Sequence, residues 1–229
     1  MVKLNEIAVI WDLDGTLLDT FENHFQSWQE VLRPYTTLFN REVFRESFGR
    51  DNQSSVTKFF GFQPDEAFVD DLVKRKEAIF LRRMPTMVEL FPGVVDWLTF
   101  LKKQGVLQAI ASSAPKKNLS ASVETFHLGP FFDVISSGER VRTKPAPDPF
   151  VQTAKKLGVP ANRCVVIEDS LYGLQAARSA GMVSIGKSGT SDLKAEDADI
   201  LINGYTVDPS PIFNQVLELV EKKLALPAD

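Results

Sequence analysis

The sequence predicts an α/β protein in which a parallel sheet carries helices on both faces, with an all-helical domain inserted after the first strand. Three observations favour this architecture. Short apolar runs alternate with helical patterns, which is typical of βαβ units. The first run, 7–11, is rich in β-branched residues and is followed by a glycine turn, as expected of a buried strand. Between residues 21 and 87 the pattern is almost entirely helical, which indicates a separate domain.

The strands and helices of the sheet domain follow one another along the chain. The predicted strands are 7–11, 106–111, 131–135, 163–167, 183–185 and 200–202. The predicted helices are 91–103, 116–126, 149–157, 170–180 and 212–224. Glycine follows the first, third and fourth of these helices, where it suits a helix end. We therefore predict a core domain of residues 1–20 and 88–229, and a helical domain of residues 21–87.

The helical domain is expected to contain the helices 20–33, 40–48, 54–60 and 64–83. Asn40 has the side chain that caps a helix N-terminus, and a turn over 49–52 separates the second helix from the third. Pro85 is expected to stop the fourth helix. The apolar face of that helix should point inward, which leaves the basic residues 74–76 on the solvent side.

Composition and charge argue against several classes of function. The chain has 229 residues, a net charge of −4 and no cluster of lysine and arginine, so nucleic acid is not expected as a partner. No apolar run is long enough to span a bilayer, and the N-terminus lacks the apolar core of a signal peptide. The single cysteine, Cys164, lies in a predicted strand and is expected to be a buried apolar residue. These features predict a cytoplasmic protein without a membrane partner, and they leave its oligomeric state open.

A pair of carboxylates follows the first strand. Asp12 and Asp14 stand at its carboxyl end, and Gly15 then breaks the strand. In open α/β sheets, ligands bind beyond the carboxyl ends of the strands. Two carboxylates at such a place repel each other unless a cation or a shared proton relieves the repulsion. For an isolated Asp-x-Asp pair, a solvated strand end is the plain alternative.

Further polar residues follow later strands in the same manner. Ser112 comes after the second predicted strand, Lys144 lies in a proline-rich loop, and the pair Glu168-Asp169 follows the fourth strand. Each alone has a plain explanation as a turn, surface or helix-cap residue. Together with the segment 12–16 (Asp-Leu-Asp-Gly-Thr), and in this order, they resemble the four motifs of the haloacid dehalogenase-like (HAD) superfamily. The resemblance covers the chain up to the last helix.

The resemblance implies a Rossmann-like core with a class I helical cap, and phosphoryl transfer that uses Mg²⁺. Asp12 would be the nucleophile and Asp14 the general acid and base. The catalytic residues would be Asp12, Asp14, Ser112 and Lys144. The metal ligands would be Asp12, Asp14 through its backbone carbonyl, Glu168 and Asp169. The phosphate-binding residues would be Thr16, Ser112, Ser113 and Lys144.

Cap residues would select the substrate, and the resemblance to β-phosphoglucomutase and sugar-phosphate phosphatases implies which ones. The segment 19–28 is similar to the opening of those caps and would place His24 near Asp14, although a surface histidine is the alternative. Arg50 is the nearest charged candidate for a substrate anion, although a solvated loop arginine is the alternative. The cap candidates are His24, Phe48, Gly49, Arg50 and Asn52.

These patterns favour a Mg²⁺-dependent phosphatase that acts on a small phosphorylated metabolite through an aspartyl-phosphate. A phosphomutase with the same core is the main alternative, but Phe48 and Asn52 stand where its cap pattern has cations. A 2-haloacid dehalogenase would lack the second aspartate, so Asp14 argues against it. A phosphate-accepting module such as a receiver domain would need about half this length and no cap. The sequence does not name the substrate.

Overall fold

The chain folds into strands and helices over residues 1–50, 52–139 and 141–225, the ranges that the computed structural model describes. The strands there are β1 (Ala8–Trp11), β2 (Leu18–Asp19), β3 (Glu89–Leu90), β4 (Leu107–Ser112), β5 (Val134–Ser137), β6 (Cys164–Glu168), β7 (Val183–Lys187) and β8 (Ile200–Ile202). The helices are α1 (Phe21–Leu32), α2 (Arg41–Arg45), α3 (Asn52–Phe60), α4 (Glu66–Met87), α5 (Val94–Lys103), α6 (Lys116–Thr125), α7 (Asp148–Leu157), α8 (Leu171–Ser179) and α9 (Pro209–Ala225).

A parallel sheet forms the centre of the fold. In the described residues its strand order is β5-β4-β1-β6-β7-β8, and all neighbouring strands run parallel. β1 lies in the middle, with Ile10 opposite Ala109 of β4 on one side and Val166 of β6 on the other. The chain order reverses at β1, and this makes its carboxyl end the switch point at which α/β sheets bind ligands. The predicted α/β class with a parallel sheet is confirmed.

Alternate side chains of β1 pack on opposite faces of the sheet, because successive side chains of a strand point to opposite sides. Val9 and Trp11 join the apolar cluster that includes residues of α5, α6 and α9. Ala8 and Ile10 join the cluster that includes residues of α7 and α8. All four side chains are fully buried, which explains why this strand is apolar throughout rather than alternating.

The helices α1 to α4 pack around an apolar cluster of their own, which supports the proposed division of the chain into core and cap. Its aromatic members include Phe25, Trp28, Phe44 and Phe59. A two-stranded antiparallel ribbon of β2 and β3 joins these helices to the sheet, with Leu18 opposite Leu90. The ribbon has no sequence signature, because strands of two residues carry no alternation.

Several element boundaries differ from the sequence-based predictions, and two of the differences, at α4 and β5, have a clear local cause. Pro85 lies inside α4 instead of stopping it. A proline in the last turn of α4 removes only one backbone donor of the helix. The Val88 amide still donates to the Met84 carbonyl at 3.1 Å. β5 begins at Val134 rather than at residue 131, because residues 129–131 form a turn of 3-10 helix.

The region before α3 matches the predictions in part. The Asn40 side chain caps α2 as predicted, accepting two backbone N–H groups at 3.0 Å each. Asn52 begins α3 instead of closing the turn predicted over 49–52, and Asp51 of that turn lies outside the described residues. Residues 226–229 of the predicted core domain also lie outside them. Within the ranges described, no helix has the length and apolar character needed to cross a membrane.

Candidate active site

Four polar residues meet at the carboxyl end of the central strands. Asp12 follows β1, Ser112 ends β4 and Glu168 ends β6. Lys144 reaches them from the loop before α7, and all four side chains are buried. Because β4, β1 and β6 are neighbours in a parallel sheet, their carboxyl ends lie at one edge however far apart they are in sequence.

Lys144 bridges two carboxylates. Its Nζ lies 2.6 Å from Asp12 Oδ1 and 2.7 Å from Glu168 Oε1. The second oxygen of Glu168 accepts hydrogen bonds from the backbone N–H of Ser170 at 2.6 Å and from its hydroxyl at 2.8 Å. Both oxygens of Glu168 are therefore engaged within the protein. Among the described residues, only Oδ1 of Asp12 has a side-chain partner, which leaves its second oxygen for a substrate or a cation.

The charges of this cluster are unbalanced. Burial raises the pKa of Asp12 to about 8, with Glu168 and Asp14 adding to the rise and Lys144 opposing it. Burial, followed by the charges of Glu168 and Asp12, likewise raises the pKa of Asp169. Burial disfavours the ammonium of Lys144, but its two carboxylate partners outweigh this and raise its pKa. The charge of Lys187 opposes the rise at Asp169, but four acids around Lys144 and Lys187 still leave an excess of negative charge, which favours a further cation.

Asp169 presents a carboxylate oxygen to this cluster. Its Oδ1 accepts a hydrogen bond from the Thr16 hydroxyl at 3.1 Å, whereas its buried Oδ2 has no hydrogen-bond partner among the described residues. An unsatisfied buried polar group costs roughly 1–3 kcal/mol, and more when it is charged. A Cβ at position 15 would lie 2.0 Å from Oδ2, so Gly15, with φ of 86°, is required by space as well as by backbone conformation.

Asp14 and His24 form the contact between the sheet and the cap. His24 Nε2 lies 3.3 Å from Asp14 Oδ1, and the imidazole stacks on Phe80 with 4.2 Å between ring centroids. Burial opposes ionisation of Asp14, but the hydrogen bond and charge of His24 outweigh it and lower the pKa of Asp14. Burial and the charge of Lys76 lower the pKa of His24, although Asp14 opposes them. The structure therefore brings His24 to the site and not to the surface.

The predicted phosphate-binding residues take different positions around Asp12. The Ser112 hydroxyl accepts the backbone N–H of Ala114 at 3.0 Å, which leaves its proton for a phosphoryl oxygen. Ser113 lines the cleft that opens between the sheet and the cap. Thr16 is engaged with Asp169, and Lys144 lies behind Asp12. Ser112, Ser113 and Lys144 are thus brought together, while the Thr16 hydroxyl donates its hydrogen bond to Asp169.

The cleft has a volume of about 80 Å³. Aromatic rings form its cap side, and polar groups from both domains complete it. The lining residues of the cap are His24, Trp28, Phe44, Ser47, Phe48, Gly49, Arg50, Asn52, Ser55, Lys76, Glu77 and Phe80. The lining residues of the core are Asp12, Leu13, Asp14, Ser113, Ala114, Pro115, Asn118 and Ser122.

Lys76 lines this cleft, so the prediction that it faces solvent is wrong. Only 1% of the residue is exposed. Its Nζ lies 2.9 Å from Glu77 Oε1 and about 5.5 Å from the ring centroids of Trp28 and Phe80. The prediction assumed one buried face, but α4 packs against α1 and α3 of the cap and also against α6 of the core. A helix covered on two sides buries a second stripe of residues.

Two cap candidates that line the cleft, Asn52 and Arg50, are held by partners within the protein. Asn52 donates to Glu77 Oε1 at 2.7 Å, and Asn118 of α6 donates to the other oxygen of Glu77. Asn52 therefore positions Glu77, an acid of the cleft that sequence reasoning missed. Arg50 lies at the cleft, but its guanidinium donates to the Tyr172 hydroxyl of α8 and stacks on that ring.

Comparison with known proteins identifies the family. The profile of the family described as haloacid dehalogenase-like hydrolase matches residues 9–187. The chain belongs to this family. The matched segment begins in β1 and ends with β7, so it contains all four strand-end motifs and the whole cap.

Named relatives of this HAD enzyme include a mutase and a phosphatase. The β-phosphoglucomutase of Bacillus subtilis is 31% identical over 190 residues, which cover 78% of this chain and 82% of the relative. The fructose-1-phosphate phosphatase YqaB of Escherichia coli is 29% identical over 181 residues, which cover 78% and 94%. The crystal structure of CbbY from Rhodobacter sphaeroides in complex with phosphate is 29% identical, with a TM-score of 0.78, and covers 86% of this chain and 94% of that one.

The donors of the HAD site fit Mg²⁺, which prefers oxygen ligands and keeps several of its waters. In the described part of the chain, no three His, Cys, Asp or Glu side chains are arranged to hold a metal by themselves. Lys144 and Ser170 engage both oxygens of Glu168, the predicted third acid. Two carboxylates, a backbone carbonyl and water can still complete an oxygen shell. The candidates are the second oxygens of Asp12 and Asp169 and the carbonyl of Asp14.

Lys187, at the end of β7, is a buried residue of the HAD site that sequence reasoning missed. Its Nζ donates to the Gly15 carbonyl at 3.1 Å, and the Thr190 hydroxyl donates to the same carbonyl at 3.2 Å. The ammonium also lies 3.2 Å from the ring centroid of Phe91. These contacts fix the Gly15–Thr16 peptide, just beyond Asp14. A lysine two residues after the predicted strand 183–185 was the available signal, similar to the polar residues that follow the other strands.

Proposed function

We propose that this enzyme hydrolyses the phosphate monoester of a small metabolite with Mg²⁺ present, through an aspartyl-phosphate on Asp12. The observation that carries the proposal is the different environment of two aspartates on one turn. Asp12 is buried against Lys144 at 2.6 Å, whereas Asp14 contacts His24 of the cap at 3.3 Å. Two carboxyl groups in different surroundings can take two roles in one reaction.

In the first step, an oxygen of Asp12 forms a bond to phosphorus while the ester P–O bond breaks. Asp14 gives its proton to the leaving alkoxide. A phosphate dianion beside Asp14 raises the pKa of this carboxyl from its low value in the free site, which supplies the protonated form. Mg²⁺, when bound, supplies positive charge that offsets the repulsion between the carboxylate and the phosphate.

In the second step, water attacks phosphorus and the bond between phosphorus and Asp12 breaks. Asp14 takes a proton from the attacking water, a role that suits a carboxyl whose pKa is lowered. Inorganic phosphate leaves, and both aspartates return to their starting state. Lys144 remains a cation throughout and stays in place because Glu168 holds it at 2.7 Å.

The cap side supports hydrolysis over a phosphomutase reaction. A mutase must hold a second phosphate with cations on the cap. Lys76 is a buried cap cation, but Glu77 neutralises it at 2.9 Å, and Arg50 is directed to α8. Phe48 and Asn52 occupy the loop positions that carry cations in the β-phosphoglucomutase pattern. A buried phosphate with too few donors costs several kcal/mol.

Release of inorganic phosphate from p-nitrophenyl phosphate tests the proposal. We expect turnover with Mg²⁺ and none with excess EDTA. Asp12→Asn should be inactive, because the amide has nearly the same shape but is a poor nucleophile. Circular dichroism of that variant is the control for folding. Substantial phosphatase activity of a clean, folded Asp12→Asn preparation would contradict the assignment of Asp12 as the nucleophile.

Mutase activity is tested with β-glucose 1-phosphate and a trace of glucose 1,6-bisphosphate. We expect free phosphate to accumulate faster than glucose 6-phosphate, and the reverse order would make the enzyme a mutase. A screen of phosphorylated metabolites with Mg²⁺ would then identify the substrate. The cytoplasmic location stays a prediction.

A further inference from the structure

The cleft of this structure leaves little room over the two aspartates of the proposed reaction. Its volume of about 80 Å³ is well below the roughly 300–1,000 Å³ of pockets that hold small ligands. Asp12 at its base is 6% exposed. A phosphorylated metabolite therefore enters while the cap is displaced from the core. The contacts between cap and core then determine the stability of the arrangement in which the cap rests on the core.

The segment Phe48–Arg50 makes close contacts of this kind. A Cβ at Gly49 would lie 2.5 Å from the Cβ of Ser170, which leaves no space for a methyl group. A Cβ at Gly15 would lie 2.9 Å from the ring of Phe48, so this ring packs closely on the turn after β1 as well. The cap loop therefore sits directly on the turn after β1 and on the start of α8.

Arg50 and Tyr172 lie at the edge of this contact. The guanidinium donates a hydrogen bond from Nη2 to the Tyr172 hydroxyl, and its carbon lies 4.4 Å from the ring centroid. Arg50 belongs to the cap and Tyr172 to the first turn of α8, so both interactions cross from one domain to the other. A planar guanidinium can stack on a ring and donate to its hydroxyl, whereas a lysine ammonium does not stack in this way.

The same end of α8 supports the catalytic lysine. Ser170 caps α8 by accepting the Gly173 amide at 3.1 Å, and its hydroxyl donates to Glu168 at 2.8 Å. Glu168 in turn holds Lys144 at 2.7 Å. The surface on which Gly49 rests is thus two hydrogen bonds away from the lysine that contacts Asp12.

We propose that Arg50 and Tyr172 form a latch between cap and core, and that they are positioning residues which hold Phe48 and Gly49 over the phosphoryl-transfer site. Arg50 then acts through Tyr172 and not through contact with a substrate anion. The expected effects on turnover rest on the proposed phosphatase function. The expected effects on the shape of the protein rest on the contacts alone.

Steady-state kinetics with p-nitrophenyl phosphate and Mg²⁺ measure the latch through activity. Arg50→Ala and Tyr172→Ala should each lower kcat/KM by about 3- to 30-fold, the range expected for a lost cation–π contact. The double variant should be no worse than either single variant, because the two residues form one interaction. Tyr172→Phe keeps the ring and should retain more activity than Tyr172→Ala. Arg45→Ala is the matched control, since Arg45 stacks on Phe21 within the cap.

Small-angle X-ray scattering of the same proteins with Mg²⁺ measures the latch without turnover. Arg50→Ala and Tyr172→Ala should both increase the radius of gyration, whereas Arg45→Ala should match the wild type. Thermal unfolding should show that all variants remain folded. If the wild type fails to hydrolyse phosphate esters, the proposed function is wrong, and the scattering still tests the latch.

Three results would overturn the latch. The first is an unchanged radius of gyration in both alanine variants. The second is a loss of kcat/KM in Arg50→Ala that Tyr172→Ala does not share, since this pattern is expected if Arg50 binds the substrate anion. Additive losses in the double variant would lead to the same conclusion.

Discussion

At the scale of single residues, hydrogen-bond partners separate the roles of four neighbouring acids. Asp12 and Glu168 share one lysine, and both carboxylate oxygens of Glu168 accept hydrogen bonds from the protein. Asp169 keeps a buried oxygen without a partner among the described residues, and Asp14 contacts a histidine of the cap. The residue types are the same or similar, so in the proposed reaction it is these partners that distinguish the acid that attacks, the acid that moves a proton and the acid that holds a cation.

Replacing Asp14 by asparagine removes the proposed general acid and base. We expect turnover to fall by roughly 10²–10⁴-fold, the usual effect of losing a general acid or base. The loss should be smaller for an aryl phosphate than for an alkyl phosphate, because a phenolate leaves with less need of a proton. Initial rates with both substrates measure the difference. Equal losses would contradict a role at the leaving group.

Replacing Asp169 by asparagine removes an anionic ligand of the proposed metal. We expect the Mg²⁺ concentration for half-maximal activity to rise by at least about tenfold. The matched control is Asp192→Asn, an exposed aspartate outside the site. A magnesium titration of the three proteins makes the comparison. An unchanged Mg²⁺ requirement in Asp169→Asn would place the metal elsewhere.

At the scale of elements, α8 shows how a helix can depend on the residue it packs against. Gly173 lies in its first turn, where helix propensity alone would favour alanine by about 1 kcal/mol. A Cβ at this position would lie 1.8 Å from Glu168 Oε1, the atom that accepts the hydrogen bond of Lys144. The glycine is therefore required by the catalytic site and not by the helix.

Gly173→Ala should lower kcat without raising the melting temperature, because the methyl group displaces Glu168 and thereby Lys144. The control is Gln175→Ala, an exposed position of the same helix. Phosphatase assays and thermal unfolding measure the two effects. A Gly173→Ala protein with wild-type activity and a higher melting temperature would show that Glu168 can move without consequence.

At the scale of the whole molecule, burial on both faces of the sheet controls the reactivity of the single cysteine. Cys164 begins β6 and is fully buried, as the sequence predicts. Burial raises the pKa of its thiol to about 12. Because the folded-state pKa is raised, the folded protein holds this proton while the unfolded chain loses it near pH 9. The thiol therefore contributes stability below pH 9, and this contribution is lost as the pH rises towards 12.

Thiol labelling at pH 8 follows from the same burial. We expect the native protein to react with a disulfide reagent only slowly, because few thiolates form and access is blocked. One thiol per chain should react at once in concentrated urea. Absorbance of the released chromophore measures both rates. Rapid and complete labelling of the native protein would contradict the packing of β6.

Local sequence was sufficient for the sheet, the family and the core of the site. Asp12, Ser112 and Glu168 each follow an apolar run, and each run is short enough and apolar enough to be a central strand. Parallel pairing then brings strand ends together, because all strands of such a sheet end at one edge. The prediction needed only short-range patterns and one topological rule.

Packing between distant segments decided the rest. Lys76 is buried because α4 lies between the cap and α6, and Arg50 turns to Tyr172 because α8 begins beneath the cap loop. Glu168 is engaged because Ser170 and Lys144 reach it from two directions. None of these contacts leaves a periodic trace in the sequence, since each depends on how the cap rests on the sheet. The sequence by itself thus determined which groups gather at the strand ends, and the tertiary structure decided what each of them contacts.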